Sequence, residues 1–136
     1  MKSEKKILKF KDKKEALKQI KEWSKERKSL EICGFLGFKD DEYVSLLCEN
    51  ISQQPSKYFA IDPVEYLNFK DQNETICVFH SHINGNEEPS EFDVSMSENC
   101  CLPFMIYSLN TDKFCLYKPK NSDAKEELLE QIQEII

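Results

Sequence analysis

The sequence predicts one α/β domain, a mostly meandering sheet with helices packed on it. Three observations carry that reading. The chain has 136 residues, the length of one ordinary domain. Segments with apolar residues at helical spacing alternate with short runs rich in β-branched and aromatic residues. Hydrophobic residues make up 40% of the chain and charged residues 32%, which suits a single core inside a solvated surface. No repeat, low-complexity segment or linker interrupts residues 1–136, so they are read as one unit.

The elements follow in order. "DKKEALKQIKEWSKERK" predicts a helix over residues 12–28. Asp12 and Glu15 have capping-box spacing, and Ala16, Ile20 and Trp23 recur on one face. "EICGFLGF" and "EYVSLLC" predict two strands, joined through "KDD" as a hairpin. "KYFAI" reads as a short strand. "DPVEYLNFK" starts a helix with Asp62 as N-cap, Pro63 at the first helical position and Glu65 closing the box. "TICVFHSH" is apolar and β-branched, the mark of an interior strand. After the loop "INGNEEP", "SEFDVSMSENC" forms a helix capped by Ser90. "PFMIYSL" and "KFCLYK" make two more strands about "NTD". The tail, residues 122–136, predicts an amphipathic helix with Leu128, Leu129, Ile132, Ile135 and Ile136 on its apolar side.

Composition narrows the function. No stretch approaches the roughly 20 apolar residues of a membrane helix. "MKSEKKILKFKDKK" lacks the apolar segment of a secretory signal, so cytoplasmic residence is expected. Of six cysteines, Cys33, Cys48, Cys77 and Cys115 sit in apolar runs, where a reduced thiol acts as a small core residue. No CxxC pair suggests a cysteine zinc knuckle. The first 28 residues hold twelve basic and five acidic side chains; the rest hold seven and twenty. The basic start reads as a solvated helix face, and the acidic remainder argues against a nucleic-acid partner.

The chemistry gathers in "HSHINGNEEPSEFD", residues 80–93, which holds both histidines of the chain. His80 and His82 at i and i+2 on a strand share a face, with Cα atoms about 6.5 Å apart, so two imidazoles can converge on one ion. The strand leaves the core at His82, which places the pair at the sheet's rim. Asp93 lies in the first turn of the helix capped by Ser90 and offers a third ligand. A helix N-terminus also presents N–H groups to a developing negative charge. Three protein ligands leave a zinc ion an open position, as in catalytic sites. Each half has a plain alternative: "SEFD" is also a capping box, and an HxH pair also occurs on ordinary surfaces. A general base is needed, and Glu31, at the head of "EICGFLGF", is a candidate because burial at a strand end raises a carboxylate's pKa. Glu87 and Glu88, in the loop between the ligands, compete with it. Cys77 and His80, three apart on one strand, face opposite ways, which argues against a thiol hydrolase.

The pattern H-x-H-x(7)-S-x-x-D, with Glu31 upstream in "EICGFLG", resembles the JAMM (MPN+ or JAB) metallopeptidases. The likeness spans about residues 31–119. "CENISQQPSKYFAIDPVEYL" and "ENCCLPFMIYSL" are similar to segments of the prokaryotic and phage-tail members. The resemblance implies a cytidine-deaminase-like sandwich, a curved mixed sheet flanked by helices. It implies Zn²⁺ on His80, His82 and Asp93, Glu31 as general acid/base, and Ser90 hydrogen-bonding the tetrahedral intermediate. It also implies hydrolysis of a peptide or isopeptide bond, at the C-terminal tail of a ubiquitin-like or similar protein. Two other expectations stay open beside it: a phage tail-assembly protein of the same fold, and a scaffold with structural zinc. Ile83 stands where many members carry proline, and the long insertions that shape ubiquitin recognition are missing, which leaves substrate and oligomeric state open.

Overall fold

A computed structural model describes residues 6–136. Among them, six strands form one sheet in the order β1-β3-β2-β4-β5-β6. They are β1 (Lys6–Phe10), β2 (Cys33–Lys39), β3 (Glu42–Cys48), β4 (Glu74–His82), β5 (Phe104–Ser108) and β6 (Lys113–Tyr117). Four helices flank the sheet: α1 (Lys13–Glu26), α2 (Pro63–Gln72), α3 (Glu91–Cys100) and α4 (Glu126–Gln133). All neighbouring strands run antiparallel except β4 and β5, so the sheet is mixed, as expected. The parallel step needs a crossover, and α3 lies on it.

The hairpin between β2 and β3 turns on Asp40 and Asp41, both with positive φ (52° and 63°). Aspartate tolerates that region better than most residues, and two such residues suit the twist of a tight hairpin. Asp12 caps α1 by accepting from the Lys14 N–H at 2.9 Å. Asp62 does the same for α2, accepting from Val64, with Pro63 opening the helix.

The two faces of the sheet bury different things. On one, Ala16, Leu17, Ile20 and Trp23 of α1 and Leu128, Leu129 and Ile132 of α4 pack on Leu36, Leu47, Ile76, Cys77, Phe79 and Met105. On the other, Phe69 of α2, Met96 of α3 and the loop residue Phe59 pack on Cys33, Phe35, Val44, Leu46, Val78 and Phe104. The β2–β4 register slips once: Leu36 pairs with Cys77 and Gly37 with Thr75, leaving Ile76 as the extra residue of a bulge. Gly34 is needed for close approach, since a Cβ there would meet the Leu46 carbonyl at 1.9 Å and the Phe79 ring at 2.5 Å.

Three expectations are corrected. "KYFAI" is not a strand: Lys57 closes a turn, its N–H and that of Tyr58 both donating to the Gln54 carbonyl, and residues 58–61 join no sheet. The Asn50 side chain meets the backbone of Tyr58 and Ala60 there, in place of a neighbouring strand. The terminal helices are shorter than periodicity suggests. α4 begins at Glu126, after a Lys125 N-cap that offers no side-chain bond. The strand β1 was not anticipated. Its "KILKF" is solvent-exposed over Lys6–Lys9 and so lacks alternation; its pairing comes from β3. All six cysteines are free thiols. No described helix is long and apolar enough to cross a membrane.

Candidate metal centre

β4 runs from exposed Glu74 through the core to half-buried His82, and it carries both histidines to the face covered by α2 and α3. His80 is fully buried. Its ring stacks on Phe59 at 4.3 Å between centroids and meets Phe104 edge-on at 5.5 Å. His82, two residues on, is partly exposed, its ring 5.3 Å from that of His80. Cys77 faces the α1/α4 core, away from His80, as strand parity requires.

Asp93 reaches the pair from the first turn of α3. The capping box forms in full: Ser90 Oγ accepts from the Asp93 N–H at 3.0 Å, and the Ser90 N–H donates to Asp93 Oδ2 at 2.9 Å. The box locks the carboxylate's direction. Asp93 Oδ1 lies 3.0 Å from His80 Nε2, and Oδ2 lies 3.0 Å from His82 Nε2. The ligand atoms of the three residues fall within 4.8 Å of one another.

The donor set fits a cation. His82 Nδ1 lies 2.8 Å from the Asn86 carbonyl. A carbonyl only accepts, so Nδ1 carries the proton and the neutral ring turns a bare Nε2 toward Asp93. That is lone pair against lone pair, unless a second proton or a metal ion lies between. His80 poses the same demand more sharply, because neither of its buried ring nitrogens has a hydrogen-bond partner. Its Nε2 stands close to Asp93 without the alignment of a hydrogen bond. A buried polar atom left this way is costly, and a shared cation would satisfy it.

The electrostatics agree. Burial lowers the pKa of His80, against the pull of Asp93. Burial also pulls His82 down, but Asp93 and the Asn86 carbonyl outweigh it and the net shift is upward. Burial works to raise Asp93, yet the two imidazoles and the Ser90 backbone hold its carboxyl well below the usual range. The cluster therefore presents one firm negative charge and two imidazoles.

Glu31 lies beside this cluster, 7% exposed. Burial pushes its pKa up to about 8; His82 lowers it and Asp93 raises it further. The β2–β4 ladder ends at Cys33 and His80. One more step is made by Ser81, whose N–H donates to the Ile32 carbonyl at 3.0 Å and whose Oγ accepts from the Ile32 N–H at 2.9 Å. That step brings Glu31 across from His82. Ser81 was missed in the sequence; a small polar residue between two histidines, on the opposite face of an apolar strand, was the available signal.

The rival carboxylates are placed otherwise. Glu87 accepts from Thr111 Oγ1 at 2.6 Å, on the turn between β5 and β6, and that bond holds its pKa down. The exposed Glu88 anchors the loop through its backbone N–H, bonded to Asn86 Oδ1. Neither belongs to the three-residue cluster. Ser108 Oγ donates to the Gly85 carbonyl at 2.9 Å, so the loop between the ligands is tied down at two points.

Comparison with known proteins places the chain in a family and its fold beside a solved structure. Residues 13–118 match the family described as prokaryotic homologs of the JAB domain. Tail tip assembly protein K of Escherichia phage N15 is 30% identical over 78 residues, which cover 57% of this chain and 32% of that protein. The chain thus spans about a third of the length of the curated relative it matches. The solution structure of a Desulfitobacterium hafniense protein superposes with a TM-score of 0.56 at 21% identity, covering 84% of this chain and 93% of that one. At that identity the likeness concerns the fold.

Proposed function

We propose that this chain, which belongs to the prokaryotic homologs of the JAB domain, is a zinc-dependent metallopeptidase that hydrolyses a peptide or isopeptide bond. The observation that carries the reading is the convergence of His80 Nε2 and His82 Nε2, each 3.0 Å from an oxygen of Asp93, with both ring nitrogens of buried His80 left without a hydrogen-bond partner. A Zn²⁺ held by these three residues would supply Lewis-acid polarisation of a carbonyl and bring the pKa of water toward about 7.

The remaining roles fall to side chains of this chain. Glu31, buried beside the cluster with its pKa pushed up to about 8, is a carboxyl that holds a proton more tightly than an exposed one, and once ionised it is suited to take a proton from water and pass it to the departing nitrogen. Ser90 Oγ already accepts from the Asp93 N–H, so its own proton is free to donate to a carbonyl oxygen that gains charge. The N-terminus of α3 adds a positive dipole end at the same place. The substrate class proposed is the extended C-terminal tail of a ubiquitin-like or similar protein. The free thiols suit a cytoplasmic setting.

The test uses zinc-loaded protein and a ubiquitin C-terminal peptide carrying a fluorogenic amide, backed by a quenched-peptide library. Chelator-sensitive cleavage that disappears in Glu31→Gln, with zinc retained, is expected. Cleavage undiminished in Glu31→Gln would remove Glu31 from the mechanism. A second reading is favoured by the likeness to the phage tail tip assembly protein: a role in assembling a phage tail tip. Stoichiometric zinc without cleavage of any peptide would favour that reading.

A further inference from the structure

We infer that Asn50 is a positioning residue for this site, holding Glu31 and the His80 ring in one frame. Its functional meaning rests on the metallopeptidase reading. Asn50 follows β3 and is partly buried. Its Nδ2 donates to the Glu31 carbonyl at 2.9 Å and the Tyr58 carbonyl at 3.0 Å, with the Pro55 carbonyl farther off at 3.4 Å. Its Oδ1 accepts from the N–H groups of Ser52 at 3.0 Å and Ala60 at 3.1 Å. An amide side chain has two donor protons and two acceptor lone pairs, so its capacity is filled.

The targets of these bonds matter. Glu31 lies before the β2 ladder, which begins at Cys33, so its backbone takes no place from the sheet. Its N–H donates to the Pro55 carbonyl at 2.8 Å and its carbonyl accepts from Asn50. The loop therefore holds the Glu31 backbone from one side, through Asn50 and Pro55, while Ser81 holds the adjoining Ile32 from the other. Phe59 lies between Tyr58 and Ala60, and Asn50 bonds both neighbours. Phe59 in turn stacks on His80. One amide thus joins the backbone of Glu31 to the aromatic ring that packs the buried histidine. A residue that only closed the loop would need bonds within residues 50–60; the bond to Glu31 crosses to the segment that leads into β2.

Asn50→Asp tests this, because a carboxylate cannot donate to the Glu31 and Tyr58 carbonyls. In metal-free protein, the His80 ring-proton resonances, shielded by Phe59, are expected to move to the positions found in Phe59→Leu. Co²⁺ affinity should fall about tenfold or more, with an altered cobalt absorption spectrum. A merely structural role would lower the melting temperature and leave both readouts of the folded protein unchanged; that result overturns the inference. Should Asn50→Asp not fold, the wild-type side-chain amide decides. Slow exchange of the Asn50 Nδ2 protons supports the inference, and exchange at the rate of a free asparagine overturns it. If the wild-type chain binds no Co²⁺, the metallopeptidase reading fails, while the His80 resonances still decide the positioning.

Discussion

The two faces of β4 carry the same strand into opposite kinds of chemistry. Toward α1 and α4 it presents Cys77 and Phe79 to a core that includes Trp23, whose ring lies 6.1 Å from that of Phe79. Toward α2 and α3 it presents Val78, then His80 and His82, to Phe59, Phe104 and Asp93. The first face gains stability from apolar area. The second spends part of its apolar surroundings on isolating imidazoles and a carboxylate from water. The candidate metal centre thus stands on a strand whose other face is held by the α1/α4 core.

That division is open to direct attack. The largest effect is expected from Phe79→Ala, about 3–5 kcal/mol of stability lost by denaturant unfolding, as for other buried aromatic truncations. An equal loss from Phe59→Ala, on the opposite face, would erase the contrast. Next, zinc should stabilise the wild-type protein by about 2.7 kcal/mol at a hundred times its dissociation constant. His80→Ala and Asp93→Ala should lose that increment, measured as the difference in melting with and without chelator.

The pH dependence of the metal-free protein sharpens the comparison. The folded pKa of Glu31, about 8, lies above its ordinary 4.5, so the folded state holds the proton more tightly than the unfolded state. This contribution is fully present below about pH 4.5 and is lost as pH rises through about 8. Melting temperature measured from pH 5 to 8 should therefore fall in the wild type more than in Glu31→Gln, whose amide does not titrate. Parallel curves would show that Glu31 is not held in a buried, raised state.

Ser90→Ala should cost about 1 kcal/mol through the lost N-cap, with zinc still bound. It separates the cap from the ligand set, which the one motif fuses. The smallest effect belongs to Thr111→Val at the loop's outer tie. Zinc content and melting are expected to stay unchanged, since Thr111 meets Glu87 outside the cluster.

Much of this was legible in the chain. The "KDD" hairpin, the Pro63 helix, the interior strand ending at His82 and the "SEFD" cap each have a local cause, in turn chemistry, capping or a continuous apolar run buried on both faces. The His80–His82–Asp93 cluster was legible for the same reason: a strand end and a helix start, separated by seven residues, contain all three side chains. "KILKF" was illegible as a strand because exposed edge residues carry no alternation. "KYFAI" looked like a strand because it is apolar and aromatic about the buried Phe59; its backbone bonds run to the Asn50 side chain and to the nearby Ile51 and Gln54 backbone, and composition does not show that.

Most of the elements, the shared face of the two histidines near the end of β4 and the cap that orients Asp93 thus follow from the sequence, because they depend on neighbours along the chain. Tertiary structure alone decided the rest. It set Glu31 across from His82 through Ser81, turned Glu87 toward Thr111, laid Phe59 on His80, and made Asn50 the tie between them. These contacts join residues far apart in sequence. Their distances follow from strand order and register, which no local pattern encodes.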